Sequence, residues 1–195
     1  MTTSSTTPRV ALVTGANKGV GHAIAQQLAE LGITVYLGAR NEERGAQPES
    51  ELRAAGHDVR HVRLDVTDPD TAALAAKRIE QESGRLDTLV NNAGISPVWR
   101  SPSQTPIEDL RDAFETNVFG AVTVTNAMLP LLRRSGAARI VNISSVLGSL
   151  TAAAENHDPT GVFPDGGFPV ICPRTWQAAS PLTGDHLGTT RDARS

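Results

Sequence analysis

A glycine-rich segment joins the first apolar run of the chain to its first helical pattern. Residues Thr14–Gly21 read TGANKGVG. Glycine has no Cβ, so such a turn lets backbone N–H groups approach a pyrophosphate at the positive N-terminus of the following helix. The alternative is a strand-to-helix turn without a ligand. No Lys-Ser or Lys-Thr pair follows Gly21, which excludes the P-loop of a nucleoside triphosphatase.

The end of the second apolar run distinguishes the two nicotinamide dinucleotides. Enzymes that use NAD usually have an acidic residue there, which binds the ribose 2′-hydroxyl. This chain has Leu37-Gly38-Ala39-Arg40 instead. Arg40 is a permanently charged, forked donor suited to a 2′-phosphate, and Lys18 adds a second cation. Either could be a solvated surface cation, but together they favour NADP(H).

Apolar periodicity predicts strands that alternate with helices. The predicted strands are Val10–Thr14, Thr34–Leu37, Asp58–Leu64, Leu86–Val90 and Ala138–Ile143. The predicted helices are Gly19–Leu31, Glu42–Ala55, Pro69–Glu82 and Pro106–Arg134, with Pro48 a defect in the second. This alternation is typical of an α/β fold with a doubly wound parallel sheet, of which about five strands are present.

The composition changes near Thr151, which suggests a division of the chain. We expect residues 1–8 to form a disordered tail and residues 9–150 to form an NADP-binding Rossmann domain. Residues 151–195 have many Pro and Gly and no strand or helix period, and we expect a loop and an irregular tail.

Polar motifs also follow the later strands. Asp65-Val66 follows the third strand, where the Asp could equally be a helix cap. Asn91–Gly94 (NNAG) follows the fourth strand, with a plain turn as the alternative. Asn117 lies inside the long helix, where Asn is mildly unfavourable, although an exposed Asn is tolerated. Ser144-Ser145 follows the fifth strand, and such pairs are common in loops.

Taken together, TGxxxGxG and these motifs resemble the short-chain dehydrogenase/reductase family, its carbonyl-reductase-like members in particular, over about residues 9–150. The resemblance implies that Asp65 bonds the adenine amino group and that the NNAG motif lies along the cofactor. It also implies that Asn117 holds a water in a proton relay and that Ser145 hydrogen-bonds the substrate carbonyl. The candidate cofactor-binding residues are Gly15, Asn17, Lys18, Gly19, Val20, Gly21, Arg40, Asp65, Val66, Asn92, Ala93 and Gly94.

The resemblance also implies a catalytic Tyr with a Lys four residues later, after Ser145. The single Tyr of the chain is Tyr36, and no Lys follows Lys77. Arg does not replace that Lys, because its geometry and basicity differ. The family also continues with further strands and helices, which we expect to be missing. We therefore predict an NADP(H)-dependent oxidoreductase by family, inactive as written. The alternative is a non-catalytic NADP-binding protein or a truncated product.

A shifted reading frame is one explanation for the missing pair. Residues 174–178 (RTWQA), read in a frame moved by two bases, can encode Tyr-x-Ala-Ser or Tyr-x-Ala-Gly. That text resembles the start of the family's Tyr-x-Ala-Ser-Lys motif, although the Lys is not recovered. We favour a frameshift over an evolved pseudoenzyme. Either way the fifth strand would become a sheet edge, so we expect poor solubility.

Composition narrows the remaining choices. Hydrophobic residues make up 39% and charged residues 20% of 195 residues, and the net charge of −3 gives no reason to expect nucleic-acid binding. No apolar run is long enough to span a membrane, and the N-terminus has no signal-peptide pattern, so we expect a cytoplasmic protein.

We predict no metal site. The resemblance implies a small carbonyl or alcohol substrate, and a homodimer whose interface would be incomplete here.

Overall fold

The computed structural model describes residues 8–96 and 105–145. The elements are β1 (Val10–Thr14), α1 (Gly19–Glu30), β2 (Thr34–Ala39), α2 (Glu42–Ala54), β3 (Val59–Arg63), α3 (Pro69–Ser83), β4 (Thr88–Asn91), α4 (Ile107–Phe114), a π-helical turn (Glu115–Phe119), α5 (Gly120–Leu132) and β5 (Arg139–Asn142). The predicted tail over residues 151–195, and nearly all of the one over residues 1–8, lie outside the described residues.

The five strands form one parallel sheet in the order β3-β2-β1-β4-β5. Strands β2 and β3 lie in turn on one side of β1, and strands β4 and β5 lie in turn on its other side. The α/β fold with a doubly wound parallel sheet is therefore confirmed. In such a sheet, ligands bind beyond the carboxyl ends of the strands at the point where the order reverses, here between β1 and β4.

The core lies on both faces of the sheet. Every residue of β1 and β2 is buried, as expected for central parallel strands. Leu12 and Tyr36 belong to the cluster on the face covered by α3 and α5. Val13 and Leu37 belong to the other cluster, which includes residues of α1 and α2. Because both faces of the sheet are packed, the strands are held in place, and so are the segments that follow them.

Two helices differ from their predicted form. The α2 helix runs through Pro48, which is buried, and it begins with an Asn41 cap whose side chain accepts a hydrogen bond from Arg44 N. The long helix predicted over Pro106–Arg134 is divided into α4 and α5 by the π-helical turn, which contains Asn117. The strand and helix ends otherwise differ from prediction by no more than a few residues. None of the helices within residues 8–96 and 105–145 could span a membrane.

Candidate functional site

The turn between β1 and α1 has the backbone conformation that its glycines permit. Gly15 has φ +64° and Gly19 has φ +58°, both in the left-handed region that side chains disfavour. Ala16 N donates to Gly38 O at 3.1 Å, which ties the turn to β2. The turn therefore lies at the carboxyl edge of the sheet, at the reversal of strand order.

The same turn packs closely against the segment after β4. A Cβ on Gly15 would lie 2.9 Å from Ala93 Cα, and one on Gly21 would collide with the Asn92 side-chain amide. Gly15 is therefore required by the close approach as well as by its φ, and Gly21 by the close approach alone. The structure brings the predicted glycine turn and the predicted NNAG segment together.

Hydrogen bonds fix this contact. Thr14 Oγ1 accepts from Asn92 N and Ala93 N, each at 2.9 Å. In return, the Asn92 amide donates to Thr14 O at 2.9 Å and Gly15 O at 3.3 Å. Thr14 was not predicted as a site residue. Its signal in the sequence is its place as the last residue of the first apolar run, directly before Gly15.

The N-terminus of α1 differs from those of α2 and α3. Its N-cap residue, Lys18, makes no side-chain capping hydrogen bond, and the first turn has no acidic residue. By contrast, α2 is capped by Asn41 and α3 by Asp68, and both have acidic residues in the first turn. The first N–H groups of a helix have no intrahelical partner. An uncapped terminus beside a glycine turn fits an anionic group such as a pyrophosphate.

Three cations lie on the elements next to the turn, namely Lys18 at the start of α1, Arg40 after β2 and Arg44 on α2. Arg40 follows β2 directly and is exposed, as is Lys18. Arg44 and Lys18 line a cavity of about 440 Å³ between α1 and α2. No ion pair of Lys18, Arg40 or Arg44 occurs within the described part of the chain, whereas Arg60 pairs with both Asp58 and Glu82. Sequence reasoning missed Arg44, although it lies four residues after Arg40, in the first turn of α2.

The segment after β3 carries Asp65 and Val66. Asp65 is half-buried, and its Oδ1 accepts from Thr67 N at 3.1 Å and Thr67 Oγ1 at 2.8 Å. Val66 is buried and packs against Gly120 of α5. Asp65 thus stabilises a local turn, while the Val66 side chain belongs to the core, which leaves only its backbone to face a ligand.

Asn117 lies in the π-helical turn and is fully buried. Its Oδ1 accepts from Ile95 N and its Nδ2 donates to Ile95 O, both at 2.8 Å. Ile95 directly follows Gly94, so this clamp holds the far end of the NNAG segment. The π-helical turn places the Asn117 side chain inward, and such turns occur frequently at functional sites.

Ser145 lies shortly after β5 and is half-buried. Asn142 is in register with Asn91 of β4, and Asn91 Nδ2 donates to Asn142 Oδ1 at 2.9 Å. Ile143 N then donates to Asn91 O at 2.9 Å. The segment leading to Ser145 therefore leaves the sheet at the same edge as the NNAG segment, beside it.

Tyr36 does not lie with the glycine turn and the NNAG segment. Its side chain is fully buried, and its hydroxyl contacts Ser83 Oγ at 2.8 Å and Glu82 Oε2 at 3.0 Å. Burial raises the pKa of Tyr36 above its ordinary value, so the hydroxyl keeps its proton. Ser83 ends α3, which returns the chain to the start of β4. The hydroxyl therefore lies at the amino edge of the sheet, opposite the glycine turn.

The sheet order and the glycine turn at its reversal define a Rossmann-type α/β protein. The family model described as short chain dehydrogenase matches residues 9–156. The chain belongs to this family of oxidoreductases, whose members bind a nicotinamide cofactor and act on small molecules. The resemblance predicted from the motifs is thus confirmed.

Individual relatives agree with the family match. The chain is 39% identical over 164 residues to short-chain dehydrogenase/reductase 1 of Saponaria officinalis, covering 73% of this chain and 54% of that protein. It is 40% identical over 146 residues to a Mus musculus carbonyl reductase named for NADPH, covering 74% and 51%. A Burkholderia cenocepacia gluconate 5-dehydrogenase, solved with NADP and tartrate, has a TM-score of 0.71 at 28% identity, covering 87% and 60%. The chain spans little more than half the length of these relatives.

Proposed function

We propose that residues 9–150 bind NADP(H) as the nucleotide-binding part of a short-chain oxidoreductase. The observation that carries the proposal is the uncapped N-terminus of α1, whose Lys18 lines a cavity with Arg44, together with Arg40 directly after β2. These three cations have no acidic partners among the described residues. An NADP phosphate would supply the missing negative charge. The mouse relative named for NADPH and the bacterial relative solved with NADP support this choice.

The different groups of the dinucleotide would contact different parts of the site. Gly15, Gly19, Val20 and Gly21 would present backbone to the pyrophosphate, with Asn17 beside them. Asp65 and the Val66 backbone would contact the adenine, and Arg40 with Lys18 would bind the 2′-phosphate. Asn92, Ala93 and Gly94 would lie along the remainder of the cofactor.

The bound nicotinamide would supply hydride transfer to or from a small carbonyl or alcohol substrate. Ser145 would donate a hydrogen bond to the substrate oxygen. Asn117, which already uses its amide on Ile95, would position a water in a proton relay. For the reaction, a proton donor at the substrate oxygen is needed. Tyr36 cannot fill this role, because its hydroxyl lies at the opposite edge of the sheet.

The position of Tyr36 favours a second candidate function, in which the chain as printed binds NADP(H) without turning it over. The measurement is NADPH consumption with a panel of aldehydes and ketones. We expect saturable NADPH binding and no consumption. Consumption that survives Ser145→Ala would contradict both the role of Ser145 and this second candidate. A frameshift in the tail stays a hypothesis that the coding DNA tests.

Arg40→Ala tests the choice of cofactor. Loss of a charge-assisted contact to the 2′-phosphate should weaken NADPH binding about 10-fold. NADH binding should change little, since NADH lacks that phosphate. Titration calorimetry on the full chain measures both, with Arg53→Ala as the control because Arg53 pairs with Glu49 on α2. Unchanged NADPH affinity in Arg40→Ala would show that the assignment is wrong.

A further inference from the structure

The cavity between α1 and α2, here named the α1–α2 recess, contains a residue that the proposed cofactor contacts do not use. The recess is lined by Asn17, Lys18, His22, Arg44, Gln47, Pro48 and Glu51. It opens beside the glycine turn, because Asn17 and Lys18 belong to that turn. The residue of interest is His22, a possible hydrogen-bond donor on α1 that those contacts do not use.

His22 is placed to face the same ligand as Lys18. It lies one helical turn further along α1, and its backbone N donates to Lys18 O at 3.4 Å. Residues at this spacing share a helix face. The His22 side chain makes no hydrogen bond or ion pair with the part of the chain that the structure describes. The imidazole is half-buried at the recess and is not used by the fold.

The charges in the recess favour an anion. Lys18 and Arg44 are the permanent cations and Glu51 is the acid. Glu51 Oε1 already accepts a hydrogen bond from Gln47 Nε2 at 2.9 Å, along α2. The lining side chains thus carry a net charge of +1 with His22 neutral. Neutral imidazole still offers one N–H donor, and the charged form offers two.

We propose that His22 is a specificity-determining residue whose imidazole donates a hydrogen bond to the 2′-phosphate of NADP(H) in the α1–α2 recess. The proposal rests on the proposed NADP(H) function and adds to it a residue of α1. Lys18 and His22 then approach the phosphate from α1, Arg44 from α2 and Arg40 from the end of β2. The terminal oxygens of a phosphate have enough lone pairs to accept from these four donors.

The test compares ligands with and without the 2′-phosphate. Adenosine 2′,5′-bisphosphate and 5′-AMP are titrated calorimetrically into the full chain, followed by NADPH and NADH. His22→Leu should weaken binding of the bisphosphate and NADPH about 5-fold, and leave 5′-AMP and NADH unchanged. His22→Lys, which restores a donor and a charge, should recover the wild-type affinity. Gln27→Leu on the exposed side of α1 is the matched control.

The outcomes separate this inference from the proposed function. If the wild-type chain binds the bisphosphate no better than 5′-AMP, the proposed NADP(H) function fails. If the wild type prefers the bisphosphate and Arg40→Ala removes that preference while His22→Leu keeps it, only the role of His22 is overturned. An equal loss of 5′-AMP binding in His22→Leu, or a similar loss in Gln27→Leu, would also overturn it. A matching urea midpoint for each variant excludes an effect through folding.

Discussion

Asp87 should contribute more to stability than other carboxylates of the domain. It lies just before β4 and its side chain is only 11% exposed. One carboxylate oxygen accepts from Val10 N at 2.8 Å, and the other accepts from Ser135 Oγ at 2.6 Å. Arg85 Nε contacts both oxygens at 3.1 Å. The side chain thus joins β1, β4 and the segment between α5 and β5 at the amino edge of the sheet.

The magnitude follows from these partners. Asp87→Asn removes the charge and replaces one acceptor oxygen with an NH₂ group, so that a donor then faces another donor. Hydrogen bonds to charged groups contribute roughly 1.5–3 kcal/mol, and a buried group left unpaired costs roughly 1–3 kcal/mol. One such bond should be lost outright and the others weakened. We therefore expect the free energy of unfolding to fall by about 3 kcal/mol.

Urea unfolding followed by circular dichroism measures the loss, with Asp58→Asn as the control. Asp58 pairs with Arg60 but its side chain is 51% exposed. Exposed ion pairs contribute about 0–1 kcal/mol, so the control should lose less than about 1 kcal/mol. Equal losses in the two variants, or a loss below about 1 kcal/mol in Asp87→Asn, would refute the reasoning.

The pH dependence of stability gives an independent check. Burial raises the pKa of Asp87, but hydrogen bonds from Ser135, Val10 and Arg85 outweigh it and hold that pKa below its ordinary value. The unfolded chain therefore takes up this proton at a higher pH than the folded chain does. The stabilisation is present above the unfolded pKa and is lost as pH falls through the folded pKa. The wild type should lose more stability than Asp87→Asn when the pH drops below about 4.

Two further substitutions test the site and its surroundings. Gly21→Ala should lower the free energy of unfolding by about 1–3 kcal/mol and weaken NADPH binding, because its Cβ collides with the Asn92 amide. Urea unfolding and NADPH titration measure the two effects. Wild-type values in both would contradict the close approach. Tyr36→Phe should lower stability by about 1 kcal/mol through lost contacts to Glu82 and Ser83, and a changed NADPH affinity would contradict its placement at the far edge of the sheet.

The alternation of strands and helices along the chain and the glycine turn were predictable because their signals are local. A buried strand, a glycine turn and an amphipathic helix each follow from neighbouring residues, and right-handed crossovers then leave few topologies. The C-terminus of α1 and the N-terminus of α3 also have local signals, since Gly32, with φ +76°, follows α1 and Asp68 caps α3. These features place the predicted glycine turn at the carboxyl edge of the sheet.

The contacts that complete the site were not predictable in the same way. The α1–α2 recess depends on how two helices pack, so the sequence alone could not show that Arg44 on α2 lines the same recess as Lys18 and His22 of α1. Propensity disfavours Pro48 inside a helix, yet α2 continues through it and the residue is buried, so its packing overrides that preference. The π-helical turn likewise has no local pattern beyond an unfavourable Asn117.

A series of hydrogen bonds across the reversal of strand order holds the NNAG segment in place. Thr14 holds Asn92 at one end of the NNAG segment, and Asn117 holds Ile95 at the other. The segment is therefore fixed between the glycine turn and the π-helical turn by hydrogen bonds of 2.8–2.9 Å. None of these bonds involves Tyr36. Under the proposed NADP(H) function, NADPH affinity would report on this assembly, and turnover would report on a separate requirement for a proton donor at the substrate oxygen.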